Sequence, residues 1–133
     1  MGEESTQLGE NKTILLVEDD FDVRDVTNFI LRQMGFEVIE VGTGAEALKV
    51  IESDVAIDML LSDIGLPGGM NGAELVQQAL VSRPTLPALL VSAYDDDSLL
   101  QFGATNVNAT VLRKPYLQED LQREIEKTLT GTA

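Results

Sequence analysis

The segment ILLVEDD, residues 14–20, places four consecutive apolar residues directly before three acidic ones. An uninterrupted apolar run of this length is typical of a parallel strand that is covered on both faces. The acids favour a helix start, because carboxylates accept hydrogen bonds from the free amides there and interact well with the helix dipole. The segment therefore predicts a central strand that ends at Glu18, Asp19 and Asp20 and is followed at once by a helix.

Four more apolar runs of strand length follow the first one, at residues 36–41, 57–61, 88–91 and 110–112. The runs at 57–61 and 88–91 are nearly uninterrupted and predict further buried strands. Glu37 and Glu40 interrupt the run at 36–41. This strand is therefore predicted to be half exposed and nearer an edge of the sheet.

Helix signals separate these runs. Thr43 and Asn71 each stand three residues before a Glu, which is the capping-box pattern of a helix start. Two other segments carry apolar side chains at helical spacing that are predicted to face the core: Val23, Val26, Phe29 and Ile30, and then Leu117, Leu121, Ile125 and Leu129. Residues 95–106 contain three acids, a Gly and few apolar side chains, so the helix predicted there is short or mobile.

Strand and helix alternate five times, which is typical of a parallel sheet with right-handed crossovers. We predict one α/β domain over residues 12–130, with a loose tail at residues 1–11 and a short tail at residues 131–133. No output domain is expected behind it. The length of 133 residues fits one domain, and a composition that is 44% hydrophobic supplies its core.

The composition excludes several classes of function. The chain has neither His nor Cys, which removes zinc sites, iron–sulfur clusters, thiol nucleophiles and Ser-His-Asp relays. The formal net charge of −14 makes nucleic acid and anionic membrane surfaces poor partners and favours metal cations or basic protein surfaces. No apolar run approaches the ~20 residues of a membrane span, and the acidic N-terminus is unlike a signal peptide, so we expect a cytoplasmic protein.

Polar residues follow four of the five predicted strands: Glu18, Asp19 and Asp20 the first, Asp63 the third, Ser92 the fourth and Lys114 the fifth. In an open parallel sheet, the carboxyl ends of the strands form the ligand-binding crevice. Carboxylates that share such a crevice repel one another unless a cation neutralises them. Oxygen ligands without imidazole or thiolate indicate a hard ion, so Mg²⁺ is the predicted metal.

The turn directly after Asp63, at residues 64–72, contains four Gly and one Pro. Such a turn can simply connect a strand to a helix. It can also leave the Asp63 carboxylate open to an incoming phosphoryl group. A carboxylate accepts that group as an acyl phosphate when a metal and a cationic side chain share the charge, and Lys114 is the candidate cation.

In their order and spacing, these residues closely resemble the receiver domain of two-component response regulators. The resemblance is carried by residues 14–20, the Asp63 turn, Val91-Ser92-Ala93 and Lys114-Pro115-Tyr116, and it covers nearly everything after the N-terminal tail. It implies a flavodoxin-like, doubly wound α/β fold. The implied sheet has five parallel strands in the order 2-1-3-4-5, with helices on both faces.

The resemblance also implies what the chain does. Asp63 would take a phosphoryl group from a histidine kinase or phosphotransfer protein, in a phosphorelay that changes the interaction surface for an unknown downstream protein. The implied metal ligands for Mg²⁺ are Asp19, Asp63 and the carbonyl of Gly65, with Glu18 acting mainly through water. Lys114 would contact one phosphoryl oxygen and Ser92 would hydrogen-bond another. A cis Lys114–Pro115 peptide and a monomer or weak dimer are expected.

Some positions depart from the usual pattern of the family. Val111 stands where the family usually carries a switch aromatic, so rotation of that aromatic cannot report phosphorylation here. We expect movement of the loop after Ser92 and of residues 95–106 to carry the signal instead. Gly65 and Tyr94 stand at positions that tune hydrolysis of the phosphoryl group in the family, and Gly65 has no side chain for that role.

Alternative functions follow from the same residues. A Mg²⁺-dependent phosphohydrolase could use Asp63 as its nucleophile, but such enzymes usually carry a second Asp two residues later, where this chain has Gly65. A degenerate receiver would bind partners without phosphorylation. Among phosphorylated receivers, a single-domain regulator, a phosphate sink and a piece of a hybrid kinase all fit. In each of these the chain transfers a phosphoryl group only to and from itself and turns over no separate substrate.

Overall fold

The structure, a computed structural model, describes residues 10–93 and 109–131. Within these residues, the chain forms five strands and four helices. The strands are β1 (Thr13–Val17), β2 (Glu37–Val41), β3 (Met59–Asp63), β4 (Ala88–Ser92) and β5 (Thr110–Arg113). The helices are α1 (Phe21–Gln33), α2 (Gly44–Ile51), α3 (Gly72–Ser82) and α4 (Gln118–Thr130).

The strands form one parallel sheet in the order β2-β1-β3-β4-β5. Both the predicted fold and the predicted strand order are confirmed. β2 lies at one edge of the sheet, and its two glutamates, Glu37 and Glu40, are exposed as the sequence predicted. β1 and β3 lie at the centre, with Leu15 paired to Leu60.

The side chains of the central strands alternate between two apolar layers. Ile14 and Leu16 pack in the layer that contains α1 and α4, whereas Leu15 and Val17 pack in the layer that contains α2 and α3. All four side chains are buried. Because successive side chains of a strand point to opposite faces, a strand covered on both sides must be apolar throughout, as this one is.

β3 begins and ends two residues later than the apolar run at 57–61 predicts. Asp58, just before the strand, accepts a hydrogen bond from the Thr13 N–H through its carboxylate at 2.7 Å. Parallel pairing then continues past the apolar run, with Ser62 opposite Val17 and Asp63 opposite Val91. The strand therefore delivers Asp63 to the carboxyl edge of the sheet as its last residue.

The two predicted capping motifs both start helices, but they differ in their hydrogen bonds. At α3, the Asn71 side chain accepts from the Glu74 N–H at 2.9 Å, and the Glu74 carboxylate accepts from the Asn71 N–H at 3.0 Å. At α2, the Thr43 hydroxyl accepts from the Glu46 N–H at 3.1 Å, but the Glu46 carboxylate accepts from the Gly42 N–H instead. Only α3 has the complete capping box that was predicted for both.

The predicted core stripe of α1 is wrong in part. Val26 and Phe29 are 61% and 62% exposed, whereas the buried residues of the helix are Thr27, Ile30 and Leu31. The helix is rotated so that Leu31 faces the core, which moves Val26 and Phe29 to the solvent side. In the last segment Leu121 and Ile125 are buried as predicted, but Leu117 precedes α4 as its N-cap and is 64% exposed.

Other sequence expectations concern residues that the structure does not describe. The helix predicted at residues 95–106 and the position of Tyr94 fall there, as do most of the N-terminal tail and the last residues of the C-terminal tail. Within residues 10–93 and 109–131, no helix is long and apolar enough to cross a membrane.

Two glycines that each begin a helix differ in what a side chain would meet. A Cβ on Gly72 would overlap the carbonyl oxygen of Asp63, and would lie 2.9 Å from Cα of Ile64. A Cβ on Gly44 would lie 2.9 Å from Sδ of Met70, the movable end of a flexible side chain. α3 therefore approaches the backbone of Asp63 as closely as it does only because residue 72 is Gly.

We predict that Gly72→Ala lowers the free energy of unfolding by about 2 kcal/mol or more, because the backbone around Asp63 has to move. The matched variant Gly44→Ala should stay within about 1 kcal/mol of the parent, because Met70 can shift and Ala favours the helix. Urea denaturation of both variants measures the difference. Equal stabilities would contradict the close approach of α3 to Asp63.

Candidate functional site

The carboxyl ends of β1 and β3 form the centre of the candidate site. Val17 pairs with Ser62 across these strands, so the next residues, Glu18 after β1 and Asp63 at the end of β3, lie side by side at the carboxyl edge of the sheet. The connections that leave β1 and β3 cover opposite faces of the sheet, through α1 and α3. Such a switch point at the carboxyl edge is where open α/β sheets bind ligands.

Three carboxylates meet at this edge. One carboxylate oxygen from each of Glu18, Asp19 and Asp63 lies within 4.8 Å of the other two. Glu18 is buried, Asp63 is half-buried and Asp19 is exposed, so the cluster opens to solvent on the side of Asp19. The structure thus brings together the three side chains that were predicted to bind the metal.

Asp20, the third acid of the segment, has a different task. Its carboxylate accepts hydrogen bonds from the N–H groups of Asp22 and Val23, at 2.9 and 3.1 Å, and so caps α1. Its own N–H donates to the Glu18 carboxylate at 3.1 Å. Asp20 therefore starts the helix, as predicted for the acids of this segment, and its N–H also holds the Glu18 carboxylate.

Burial sets the electrostatics of the two inner carboxylates. It raises the pKa of Asp63 above its ordinary value, and the Lys114 ammonium and a hydrogen bond from the Gly65 N–H act in the opposite direction. Burial also raises the pKa of Glu18, with smaller contributions in the same direction from the charges of Asp63 and Asp19. Both carboxyls are therefore harder to ionise in the folded chain than in water.

Lys114 reaches the cluster from the end of β5. Its Nζ lies 3.7 Å from Oδ2 of Asp63, and its backbone N–H donates to the Ser92 carbonyl at 2.7 Å. The Lys114–Pro115 peptide is cis, as the resemblance implied. The lysine side chain is 26% exposed, so the ion pair with Asp63 is shielded from solvent only in part.

Ser92 and Gly65 lie beside the cluster. Ser92 is the last residue of β4, next to Val91, which pairs with Asp63, and its side chain is buried. Gly65 follows two residues after Asp63, and its N–H is hydrogen-bonded to that carboxylate. The phosphoryl contact predicted for the Ser92 hydroxyl and the metal contact predicted for the Gly65 carbonyl stay predictions.

Two contacts beside the cluster were not predicted from the sequence. Tyr116 is half-buried, its hydroxyl is hydrogen-bonded to Thr27 of α1, and burial raises the pKa of its phenol. Arg24 of α1 donates from Nη1 to the Glu18 carbonyl at 3.0 Å. The Lys-Pro-Tyr motif pointed to Tyr116 without a partner, and no pattern in the sequence pointed to Arg24.

Comparison with known proteins places this geometry in a family. The family model for the response regulator receiver domain matches residues 14–126 of the chain. The chain belongs to this family. The receiver domain resembles the response regulator receiver protein CpdR of Brucella abortus, with 34% identity over 118 residues that cover 89% of this chain and 97% of that protein.

The receiver domain also resembles solved structures and parts of longer proteins. A CheY-like receiver domain from Methanospirillum hungatei superposes with a TM-score of 0.79 and 33% identity, covering 91% of this chain and 95% of that one. A cyclic di-GMP phosphodiesterase of Thermotoga maritima is 32% identical over 117 residues, which cover 88% of this chain. The receiver spans 31% of that enzyme and 50% of the sensory transduction protein RegX3 of Mycolicibacterium smegmatis.

We predict that Asp63→Asn raises the free energy of unfolding at neutral pH in the absence of metal. Because the pKa of Asp63 is raised on folding, its ionisation destabilises the native state, and this cost is present only above its ordinary value of 3.8. Asn removes the cost and keeps the shape. The loss of the ion pair to Lys114 is the smaller effect, because burial influences the pKa of Asp63 more.

Urea denaturation from neutral to acid pH measures this effect. The stability difference between Asp63→Asn and the parent should shrink as the pH falls through the range in which Asp63 takes up its proton. Asp54→Asn, at an exposed position, removes the same formal charge and is the matched control. An Asp63→Asn variant no more stable than Asp54→Asn at neutral pH would contradict this account.

Proposed function

We propose that Asp63 of this receiver domain accepts a phosphoryl group from a phosphohistidine of a histidine kinase or phosphotransfer protein. One observation carries the proposal. The Asp63 carboxylate lies in an acidic cluster at the carboxyl end of a central strand, with the Lys114 ammonium 3.7 Å away. A nucleophilic carboxylate, a place for a cation and a fixed positive charge are what acyl phosphate formation needs.

The donor atoms of the cluster fit Mg²⁺. They are carboxylate oxygens without imidazole or thiolate, and burial makes two of them costly to ionise unless a cation is close. We propose that Glu18, Asp19, Asp63 and the Gly65 carbonyl hold the ion, with Glu18 acting mainly through water. When bound, Mg²⁺ supplies positive charge that offsets the charge of the phosphoryl oxygens.

The proposed transfer breaks one bond and forms one. The bond between phosphorus and the imidazole nitrogen of the donor breaks, and its electron pair stays on that nitrogen. An oxygen of the ionised Asp63 carboxylate forms the new bond to phosphorus. Lys114 stabilises the negative charge on the transferred group, and the Gly65 N–H helps to orient the Asp63 carboxylate.

We propose that Ser92 and Lys114 report the phosphoryl group to the rest of the domain. Ser92 ends β4 and Lys114 directly follows the neighbouring β5, and the Lys114 N–H donates to the Ser92 carbonyl at 2.7 Å, so their backbones are linked. A shift of either residue toward the phosphoryl group would therefore move the other. Val111, two residues before the end of β5, has no aromatic ring that could take this role.

We predict that acetyl phosphate with Mg²⁺ adds one phosphoryl group to the native chain, which intact-mass measurement detects. Asp63→Asn should abolish the modification because the nucleophile is gone, and chelation of Mg²⁺ should suppress it. Asp54→Asn serves as the control and should be modified like the parent. Equal labelling of Asp63→Asn and the parent would refute Asp63 as the acceptor.

An exposed apolar surface beside the site supports a protein as the phosphodonor. A cleft along α1 is lined by Val23, Val26 and Tyr116, and a second cleft that shares Val23 and Tyr116 reaches Lys114. Val26 is 61% exposed. A donor that brings its phosphohistidine to Asp63 would cover this continuous surface, and burial of its apolar side chains would contribute to binding.

We predict that Val26→Asp slows phosphotransfer from a phosphorylated histidine kinase at least tenfold, because about 1.4 kcal/mol of apolar contact is lost and a charge is added. The reaction with acetyl phosphate, which needs no docking surface, should keep its rate. Val81→Asp is the matched control, since Val81 is an 82% exposed valine of α3. A kinase that phosphorylates the native chain is the donor to use, and equal slowing by both variants would contradict this surface.

A further inference from the structure

Arg24 joins three parts of the molecule that surround the acidic cluster. Its Nη1 donates to the backbone carbonyl of Glu18 at 3.0 Å, and its Nε lies 3.5 Å from Oε1 of Glu40 on β2. Its guanidinium lies over the ring of Phe21, 5.6 Å from the ring centre. A Cβ on Gly42 would lie 3.2 Å from Nη1, so the arginine also fills the space beside that glycine.

The bond to Glu18 acts on the peptide that carries two of the three clustered carboxylates. The Glu18 N–H donates to the Val41 carbonyl at 3.1 Å, and the Glu18 carbonyl accepts from Arg24. Both backbone polar groups of Glu18 are therefore held. Because a peptide unit is planar, the bond from Arg24 fixes the plane between Glu18 and Asp19 and thereby the directions in which both side chains leave the chain.

The hydrogen bond from Arg24 to the Glu18 carbonyl does not use the carboxylate oxygens of the cluster, and Arg24 adds little net charge there. Arg24 binds the carbonyl of Glu18 and not its carboxylate, which instead accepts from the Asp20 N–H. The positive charge of Arg24 is balanced by Glu40. A guanidinium without a counterion beside the cluster would repel a cation. The Arg24–Glu40 ion pair instead orients the site and preserves its attraction for a cation.

We propose that Arg24 is a positioning residue for the metal site: it holds the peptide between Glu18 and Asp19 so that their carboxylates are arranged for Mg²⁺ before the ion binds. The inference rests on the proposed function, because it concerns the metal site of that function. Partners that orient ligands from outside the first coordination shell typically contribute about 10- to 100-fold to metal affinity.

Mg²⁺ titrations of the native chain and of matched variants test the proposal. Arg24→Met removes the contact, and Arg24→Lys keeps the charge but not the planar fork that reaches both Glu18 and Glu40. Arg32 supplies the controls, because it lies on the same helix and also reaches β2, donating to the Asn28 side chain at 3.0 Å and to the Val38 carbonyl at 3.4 Å. Calorimetry measures the dissociation constant of Mg²⁺ for each chain.

Arg24→Met should raise the dissociation constant of Mg²⁺ about tenfold or more, Arg24→Lys should raise it less, and Arg32→Met should leave it unchanged. In the acetyl phosphate reaction, the Mg²⁺ concentration for half the maximal rate should rise for Arg24→Met, while the rate at saturating Mg²⁺ stays close to that of the native chain. A purely structural role would lower the melting temperature without moving the half-saturating concentration.

Equal dissociation constants for Arg24→Met, Arg32→Met and the native chain would overturn the role of Arg24 and leave the metal site standing. Absence of Mg²⁺ binding by the native chain would overturn the metal site and this inference with it. If Arg24→Met does not fold, the comparison of Arg24→Lys with Arg32→Lys decides. A weaker site in Arg24→Lys alone supports the proposal, and equal sites overturn it.

Discussion

The parallel register between β1 and β3 is the constraint on which the rest of this receiver domain depends. With Val17 opposite Ser62, the residues that follow in each strand are Glu18 and Asp63. A shift of one residue would turn every side chain of β1 to the other face and separate the two carboxylates. Hydrogen bonds at the start of the two strands hold this alignment, because the Thr13 N–H donates to the Asp58 carboxylate at 2.7 Å and the Asp58 N–H donates to the Thr13 carbonyl at 2.8 Å.

The acidic cluster that results places two carboxylates that are costly to ionise beside a stable core. Burial raises the pKa of Glu18 and Asp63, and their charges oppose one another. Other contacts stabilise these carboxylates without covering all their oxygens. Nζ of Lys114 lies 3.7 Å from Oδ2 of Asp63, and backbone N–H groups donate to both carboxylates. We propose that this open and negative site attracts a cation and then a phosphoryl group, and the rigid strands around it keep the geometry in place.

Helix α1 has an apolar exposed side and a polar side near the acidic cluster. α1 buries Thr27, Ile30 and Leu31 against the sheet and leaves Val26 and Phe29 exposed, and Val26 lines the cleft that it shares with Tyr116. The opposite side of the same helix carries Arg24, which contacts the backbone of Glu18 and the side chain of Glu40. One helix thus carries both the exposed apolar surface proposed to receive the phosphodonor and the arginine proposed to position the metal ligands.

The sequence by itself determined the α/β fold and the meeting of Glu18, Asp19 and Asp63, because uninterrupted apolar runs specify buried parallel strands and their carboxyl ends share one edge. The strand order followed from the resemblance to receiver domains and not from the apolar runs. The tertiary structure alone decided which side of α1 is buried, since two apolar stripes of that helix compete and only the shape of the sheet chooses between them. It also decided the contact of Arg24 with Glu18 and that of Tyr116 with Thr27. Such contacts depend on the distance and angle between packed elements, which local spacing does not encode.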